Sequence, residues 1–153
     1  MSALNIPGIG KRIGRHYLAV MTFGATGESP DVSIGSTTTG AVALININEP
    51  NVFVHSIESQ VVVAFDGATS LEFSIGDGDD SDGYWTDTLF VPTSSGAVFG
   101  NMASSVGYAA GKLYTGSDTI DLTITGGLTA GKAKLRIDYS LGVDTDLAPA
   151  TSS

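Results

Sequence analysis

Two alternating stretches of sequence decide the fold class. Positions 118–125 read DTIDLTIT, and positions 132–139 read KAKLRIDY. In both stretches apolar and polar residues alternate with a period of two, which is typical of a β-strand with one buried face. The second stretch also places four charged residues on its polar side, from Lys132 to Asp138, where they discourage edge-to-edge pairing. We therefore predict two strands whose apolar sides face one core.

The same strand-and-turn pattern extends through the rest of the chain. Ser, Thr and Gly together supply 53 of the 153 residues, which favours short strands over helices. Further strands are predicted at 17–23, 32–34, 37–48, 60–65, 70–75, 84–91 and 112–115. Turn signals at Asp66-Gly67 and Gly126-Gly127 each predict a β-hairpin. The predicted fold is an all-β, antiparallel two-sheet sandwich, jelly-roll-like, with an extended N-terminal arm.

The length of 153 residues fits one domain. We divide it into an arm at 1–16, a β-sandwich at 17–143 and a flexible C-terminal tail at 144–153. The alternation predicts eight inward-facing side chains: Leu71, Phe73, Ile75, Ile120, Leu122, Ile124, Leu135 and Ile137.

Charge and composition exclude several classes of function. The net charge of −9 opposes binding to nucleic acid or to an anionic membrane, so neither is predicted as a partner. The absence of cysteine excludes disulfides and thiolate chemistry, and no cofactor motif is present. The first 15 residues carry Lys11, Arg12 and Arg15 and no acid, which makes them a basic arm on an acidic body. These three residues are the candidate binding residues of the arm; the alternative is a disordered terminus without a partner.

The segment 77–83 gathers four carboxylates between glycines. Asp77, Asp79, Asp80 and Asp82 resemble the start of a calcium loop, but no glutamate follows at the twelfth position. The alternatives are a solvated turn between strands and a weak calcium site. A second pattern, at 126–133, approximates a phosphate-binding loop, but it lacks the final hydroxyl and leads into a strand. We interpret it as a turn.

Other candidate sites have little support in the sequence. Neither His16 nor His55 has a second ligand or an acid at a spacing that builds a metal site or a catalytic triad, so the chain is not expected to be an enzyme. A β-sandwich enzyme, such as a glycosidase-like protein, stays an alternative. The neighbours Tyr84 and Trp85 could stack on a sugar; since adjacent strand residues point to opposite faces, one is expected in the core and one on the surface.

The chain resembles the jelly-roll decoration or cement proteins of tailed-bacteriophage heads. The likeness covers roughly residues 60–140 and rests on strand and turn patterns. It is carried by Val61-Val62-Val63-Ala64-Phe65-Asp66-Gly67, Ser74-Ile75-Gly76-Asp77, Asp82-Gly83-Tyr84, Tyr114, Asp118-Thr119-Ile120, Thr129-Ala130-Gly131 and Leu135-Arg136-Ile137-Asp138-Tyr139.

The resemblance implies a virion structural protein on the capsid surface, with the major capsid protein as its partner. It also implies a homo-oligomer, with a trimer preferred over a dimer, and it brings no catalytic residues. On this view the arm anchors the protein to the capsid shell through Lys11, Arg12 and Arg15, and the acidic body projects outward. The alternative function is a carbohydrate-binding module, lectin-like or part of a head-fibre adhesin.

Overall fold

A computed structural model describes residues 3–6, 16–67, 71–86 and 107–141. These residues form nine strands and one turn of 3₁₀ helix, at Thr26–Glu28. The strands are β1 (Leu4–Ile6), β2 (His16–Ala25), β3 (Val32–Ile34), β4 (Gly40–Ile47), β5 (Val52–Gly67), β6 (Phe73–Gly76), β7 (Lys112–Tyr114), β8 (Asp118–Ile124) and β9 (Leu128–Ser140). None of the described residues forms a helix long and apolar enough to cross a membrane.

The strands form two sheets that pack face to face. One sheet has the order β1-β4-β8-β6, and the other has the order β3-β2-β9-β5-β7. This arrangement confirms the predicted all-β, jelly-roll-like sandwich. The pairing is antiparallel except at two short edges, where β1 runs parallel to β4 and β3 runs parallel to β2. The sequence did not predict these two short parallel pairings.

The core lies between the two sheets and follows the predicted alternation. On β9 the side chains of Ala133, Leu135, Ile137 and Tyr139 are buried, and the charged residues between them point outward. Seven of the eight residues predicted to face inward are buried, and Leu71 is half-buried against the same core. Phe23, Phe65 and Phe73 form an aromatic cluster within it, with the ring centroids of Phe65 and Phe73 edge to face at 4.9 Å.

Both predicted hairpins are wrong. β5 belongs to the five-stranded sheet and β6 to the four-stranded sheet, so Asp66 and Gly67 end a strand whose successor lies in the other sheet. Gly126-Gly127 likewise connects β8 in one sheet to β9 in the other. A turn signal in the sequence shows where a strand ends, but it does not show which sheet the next strand joins. An amphipathic strand buries its apolar face equally well in the same sheet as the preceding strand or in the opposite sheet.

The sequence predicts only the part of the long strand β5 at 60–65. The strand runs for 16 residues, and its register against β9 shifts at several bulges. One bulge lies between Val54 and Ser56, so His55 is an extra residue in the ladder. Another surrounds Gly131, whose φ of +115° and close approach to Phe65 leave no room for a side chain.

The structure places the start of the predicted arm in a sheet. Leu4–Ile6 pairs in parallel with Ile45–Ile47 at the edge of the four-stranded sheet, and Leu4 packs against the core. His16, the last residue of the predicted arm, is already the first residue of β2 in the other sheet. Lys11, Arg12 and Arg15 lie outside the described residues, as do the tail from 144 and the predicted strand residues beyond 86.

Candidate functional site

The acidic loop is organised around one buried carboxylate. Asp77, whose side chain is fully buried, accepts hydrogen bonds through Oδ1 from the backbone amides of Asp79 and Asp80 and from the hydroxyl of Tyr108 at 2.7 Å. Its Oδ2 accepts from Lys112 Nζ at 2.6 Å and from the hydroxyl of Tyr114 at 2.8 Å. Five donors therefore surround this carboxylate, enough to engage all of its roughly four lone pairs.

Lys112 supplies the positive charge that this loop needs. Its ammonium contacts Asp77, the exposed Asp79 at 3.0 Å and the hydroxyl of Tyr108 at 3.0 Å. Burial opposes the charged form of Lys112, but these hydrogen bonds outweigh burial and raise the pKa of the lysine. Burial likewise raises the pKa of Tyr114 well above its ordinary value, so its hydroxyl stays protonated and donates to Asp77.

This geometry favours a structural role for the loop over calcium binding. Both oxygens of Asp77 are engaged by protein donors, and a lysine ammonium already lies between Asp77 and Asp79. A calcium ion needs six to eight oxygen ligands that point at one centre. Asp80 and Asp82 lie in the turn that follows, where the carbonyl of Asp80 accepts from the amides of Asp77 and Gly83.

We predict a specific pH dependence for this cluster. Burial raises the pKa of Asp77, but the hydrogen bonds from Lys112, Tyr108, Tyr114 and the backbone outweigh it and hold the pKa below its ordinary value of 3.8. A carboxyl with a lowered pKa stabilises the fold above its unfolded-state pKa, and the contribution is lost as the pH falls through the folded-state pKa. The difference in unfolding free energy between the wild type and Asp77→Asn should therefore be smaller at about pH 3 than at pH 7. Urea unfolding at both pH values measures this difference, and an equal difference at the two pH values would contradict the prediction.

Tyr84 and Trp85 do not form a surface platform. Tyr84 is fully buried and Trp85 is 4% exposed, so the expectation that one of them faces solvent is wrong. The Trp85 indole N–H donates to the carbonyl of Ile57 at 2.7 Å, and the Tyr84 hydroxyl lies 2.7 Å from that of Tyr114. The segment forms a single β-bridge with Ile75 instead of a regular strand, so strict alternation of the side chains does not apply. The sugar-stacking interpretation thus loses both of its residues.

A cluster that the sequence did not predict lies on the outer face of the five-stranded sheet. His16 Nδ1 donates to Asp138 Oδ1 at 2.9 Å, and the rings of His16 and His55 stack with centroids 4.0 Å apart. His55 Nε2 shares a hydrogen bond with Ser140 Oγ at 2.9 Å. His16, His55 and Asp138 each place one possible metal-ligand atom within 4.8 Å of the other two. Among the described residues, this is the cluster that could hold a metal ion through three side chains.

The strand order explains why sequence spacing missed this cluster. His16 is on β2 and His55 on β5, and both strands flank β9, which carries Asp138 and Ser140. The residues are far apart in sequence, and only the pairing of three strands brings them to one end of the sheet. Burial lowers the pKa of His55, the adjacent His16 lowers it further, and Asp138 partly opposes both effects.

The same outer face exposes three large apolar side chains. Leu18 is 59% exposed, Val20 is 48% exposed and Val62 is 45% exposed, and all three lie on β2 and β5. Leu18 is paired with Asp138 and Val20 with Arg136 on the intervening strand. This face therefore combines apolar and charged groups.

Comparisons with known proteins connect the fold to phage capsids. No protein-family model matches the chain, and no curated protein sequence matches it. A chain in the cyanophage Pam1 capsid asymmetric unit aligns with a TM-score of 0.54 at 11% identity, over 81% of this chain and 83% of that chain. A chain in the acidic stable capsid structure of Helicobacter pylori bacteriophage KHP30 gives a TM-score of 0.51 at 17% identity, over 81% and 86%.

A third neighbour extends the match over most of the chain. It comes from the capsid of Ralstonia phage GP4, with a TM-score of 0.53 at 12% identity, over 93% of this chain and 92% of that chain. Because the aligned region covers similar shares of both chains in each comparison, the neighbours are about as long as this chain. The likeness establishes a shared sandwich fold.

Proposed function

We propose that this chain is a structural protein of a bacteriophage virion, which decorates or cements the capsid by binding the shell of major capsid protein. It acts at the capsid surface and needs no cofactor. The observation that carries the proposal is the fold shared with three capsid chains of similar length, two of them over about four-fifths of this chain and one over nine-tenths.

The described polar clusters suit a passive role. The most buried carboxylate, Asp77, is engaged by Lys112 and two tyrosines that hold one loop in place. The aromatic pair that favoured glycan binding is packed in the core. We therefore prefer capsid attachment to the carbohydrate-binding alternative.

The proposal includes a homo-oligomer, preferably a trimer. Repeated subunits on a closed shell favour contacts with closed symmetry, and a decoration protein that sits on a local threefold axis meets three equivalent copies of its partner. The partners are thus the major capsid protein and further copies of this chain.

Residues 1–16 supply the proposed anchor to the shell. Leu4–Ile6 holds one end of this segment in the four-stranded sheet, and His16 begins β2 in the other sheet. Lys11, Arg12 and Arg15 fall in the connection between these two fixed points. Three bases without an acid offer charge complementarity to an acidic shell surface, while the acidic body projects away from it.

We predict that reversing these three charges weakens attachment. The triple variant Lys11→Glu, Arg12→Glu, Arg15→Glu should bind capsids roughly tenfold or more weakly at low salt, and the loss should be smaller at high salt because salt screens exposed charges. Co-sedimentation with capsids at two salt concentrations measures this. Charge reversal is a sharper test than deletion of 2–16, which would also remove β1 and the first residue of β2.

Two controls make the result specific to the anchor. Lys134 lies on the outer face of β9, and Lys134→Glu also replaces a positive charge with a negative one, but on the sandwich. This variant should bind capsids like the wild type. Circular dichroism of each variant should show an unchanged β-sheet spectrum. If the triple variant attaches fully at both salt concentrations while Val20→Asp detaches, the contact lies on the outer face of the sandwich and the anchor proposal is wrong.

A further inference from the structure

The His16, His55 and Asp138 side chains form a larger cluster than one hydrogen bond requires. The hydrogen bond needs only His16 Nδ1 and Asp138 Oδ1, which are 2.9 Å apart. The second imidazole is brought in by His55, and its ring lies nearly parallel to that of His16, with 14° between the planes. The stack therefore brings a second imidazole, with its own ring nitrogens, beside the hydrogen bond between His16 and Asp138.

The backbone supports the position of the second histidine. His55 occupies the β-bulge between Val54 and Ser56, and a bulge re-aims the side chain that it carries. Phe53 packs against one side of the His55 ring at 4.7 Å, and Ser140 holds its Nε2. A hydrogen-bonding neighbour that orients an imidazole is a common feature of metal sites.

We propose that His16, His55 and Asp138 form a binding site for a divalent first-row transition-metal ion, with Zn²⁺ as the representative ion. Two imidazole nitrogens and one carboxylate oxygen are the three-ligand set of open zinc sites, in which a fourth position is left for water or another ligand. The strongly acidic chain, with a net charge of −9, also attracts cations.

Metal binding requires one imidazole to turn out of the stack, because the ion lies in the plane of each ring that binds it and two nearly parallel stacked rings share no such position. Zinc ligands at about 2.0–2.1 Å in a tetrahedron lie about 3.3 Å from one another. The His16–Asp138 contact of 2.9 Å has to open slightly, and the other two ligand pairs, which lie within 4.8 Å, have to reach about the same spacing. The His16 side chain is 57% exposed, so it has room to rotate. A neutral His16 ring that binds the metal through Nδ1 carries its proton on Nε2.

The test is a zinc titration of the full chain without a polyhistidine tag. The chain contains two histidines and no cysteine, so any imidazole-dependent binding must involve His16 or His55. Isothermal titration calorimetry should give one Zn²⁺ per chain for the wild type. His16→Ala and His55→Phe should each weaken binding by at least about tenfold, and His55→Phe keeps a ring in the stack. Asp138→Asn should also weaken it.

Glu58→Gln is the matched control, because Glu58 lies on the same strand as His55 and contacts Arg136 instead of the cluster. It should bind Zn²⁺ like the wild type. Co²⁺ provides an independent readout, since ligation by imidazole gives visible d–d bands that His55→Phe should abolish. Binding to the double variant His16→Ala, His55→Phe that equals wild-type binding, or no binding to the wild type, would overturn the proposal.

Discussion

Replacing Asp77 with alanine should lower the free energy of unfolding by about 3–5 kcal/mol, because the Lys112 ammonium loses its buried carboxylate partner. The same substitution removes the carboxylate that accepts hydrogen bonds from the hydroxyls of Tyr108 and Tyr114. Thermal or urea unfolding measures the effect, and the midpoint of thermal unfolding should fall by roughly 8 °C or more.

Asp79→Ala is the matched control for this prediction. Asp79 contacts the same lysine at 3.0 Å, but its side chain is 82% exposed, so its loss should cost under about 1 kcal/mol. The two variants remove the same charge from the same loop and differ in burial. Equal stabilities of Asp77→Ala and Asp79→Ala would show that the buried network does not stabilise the fold.

Replacing Trp85 with alanine should cost about 3–5 kcal/mol, because the indole fills space between the sheets. The variant also leaves the buried carbonyl of Ile57 without the indole N–H that now donates to it. Urea unfolding should show the loss. Leu18→Ala, at a side chain that is 59% exposed, should change stability by less than about 1 kcal/mol.

This prediction separates the core interpretation of Trp85 from a glycan-binding one. If Trp85 were part of a sugar-binding surface, its substitution would abolish glycan binding and leave the stability of the protein unchanged. Substitution of a core residue lowers the stability of the protein instead. A Trp85→Ala protein as stable as the wild type would contradict the burial described above.

The strands were predictable because each buries one face. The alternation at 118–125 and 132–139 predicted both the strands and their inward residues, and the edge strand at 32–34 was also confirmed. Strand order was not predictable from such local patterns. The turns at Asp66-Gly67 and Gly126-Gly127 looked like hairpins, yet both lead to the opposite sheet.

The clusters of polar residues depended on that missing strand order. The sequence singled out Asp77 as part of an acidic loop, but Lys112 lies 35 residues away and reaches it only through β7. The sequence spacing of His16 and His55 predicted no metal site or catalytic triad, yet these residues lie on the two strands that flank β9. Local sequence predicts which side chains face outward, and long-range pairing decides which of them meet.

The central claim is that this protein is a component of the virion, and the most direct test is its amount in purified particles. Virions banded in a density gradient and analysed by quantitative mass spectrometry should contain the protein at a fixed, simple ratio to the major capsid protein. The ratio should persist through repeated gradients. Recovery of the protein only in the soluble fraction, with none in intact particles, would contradict the account.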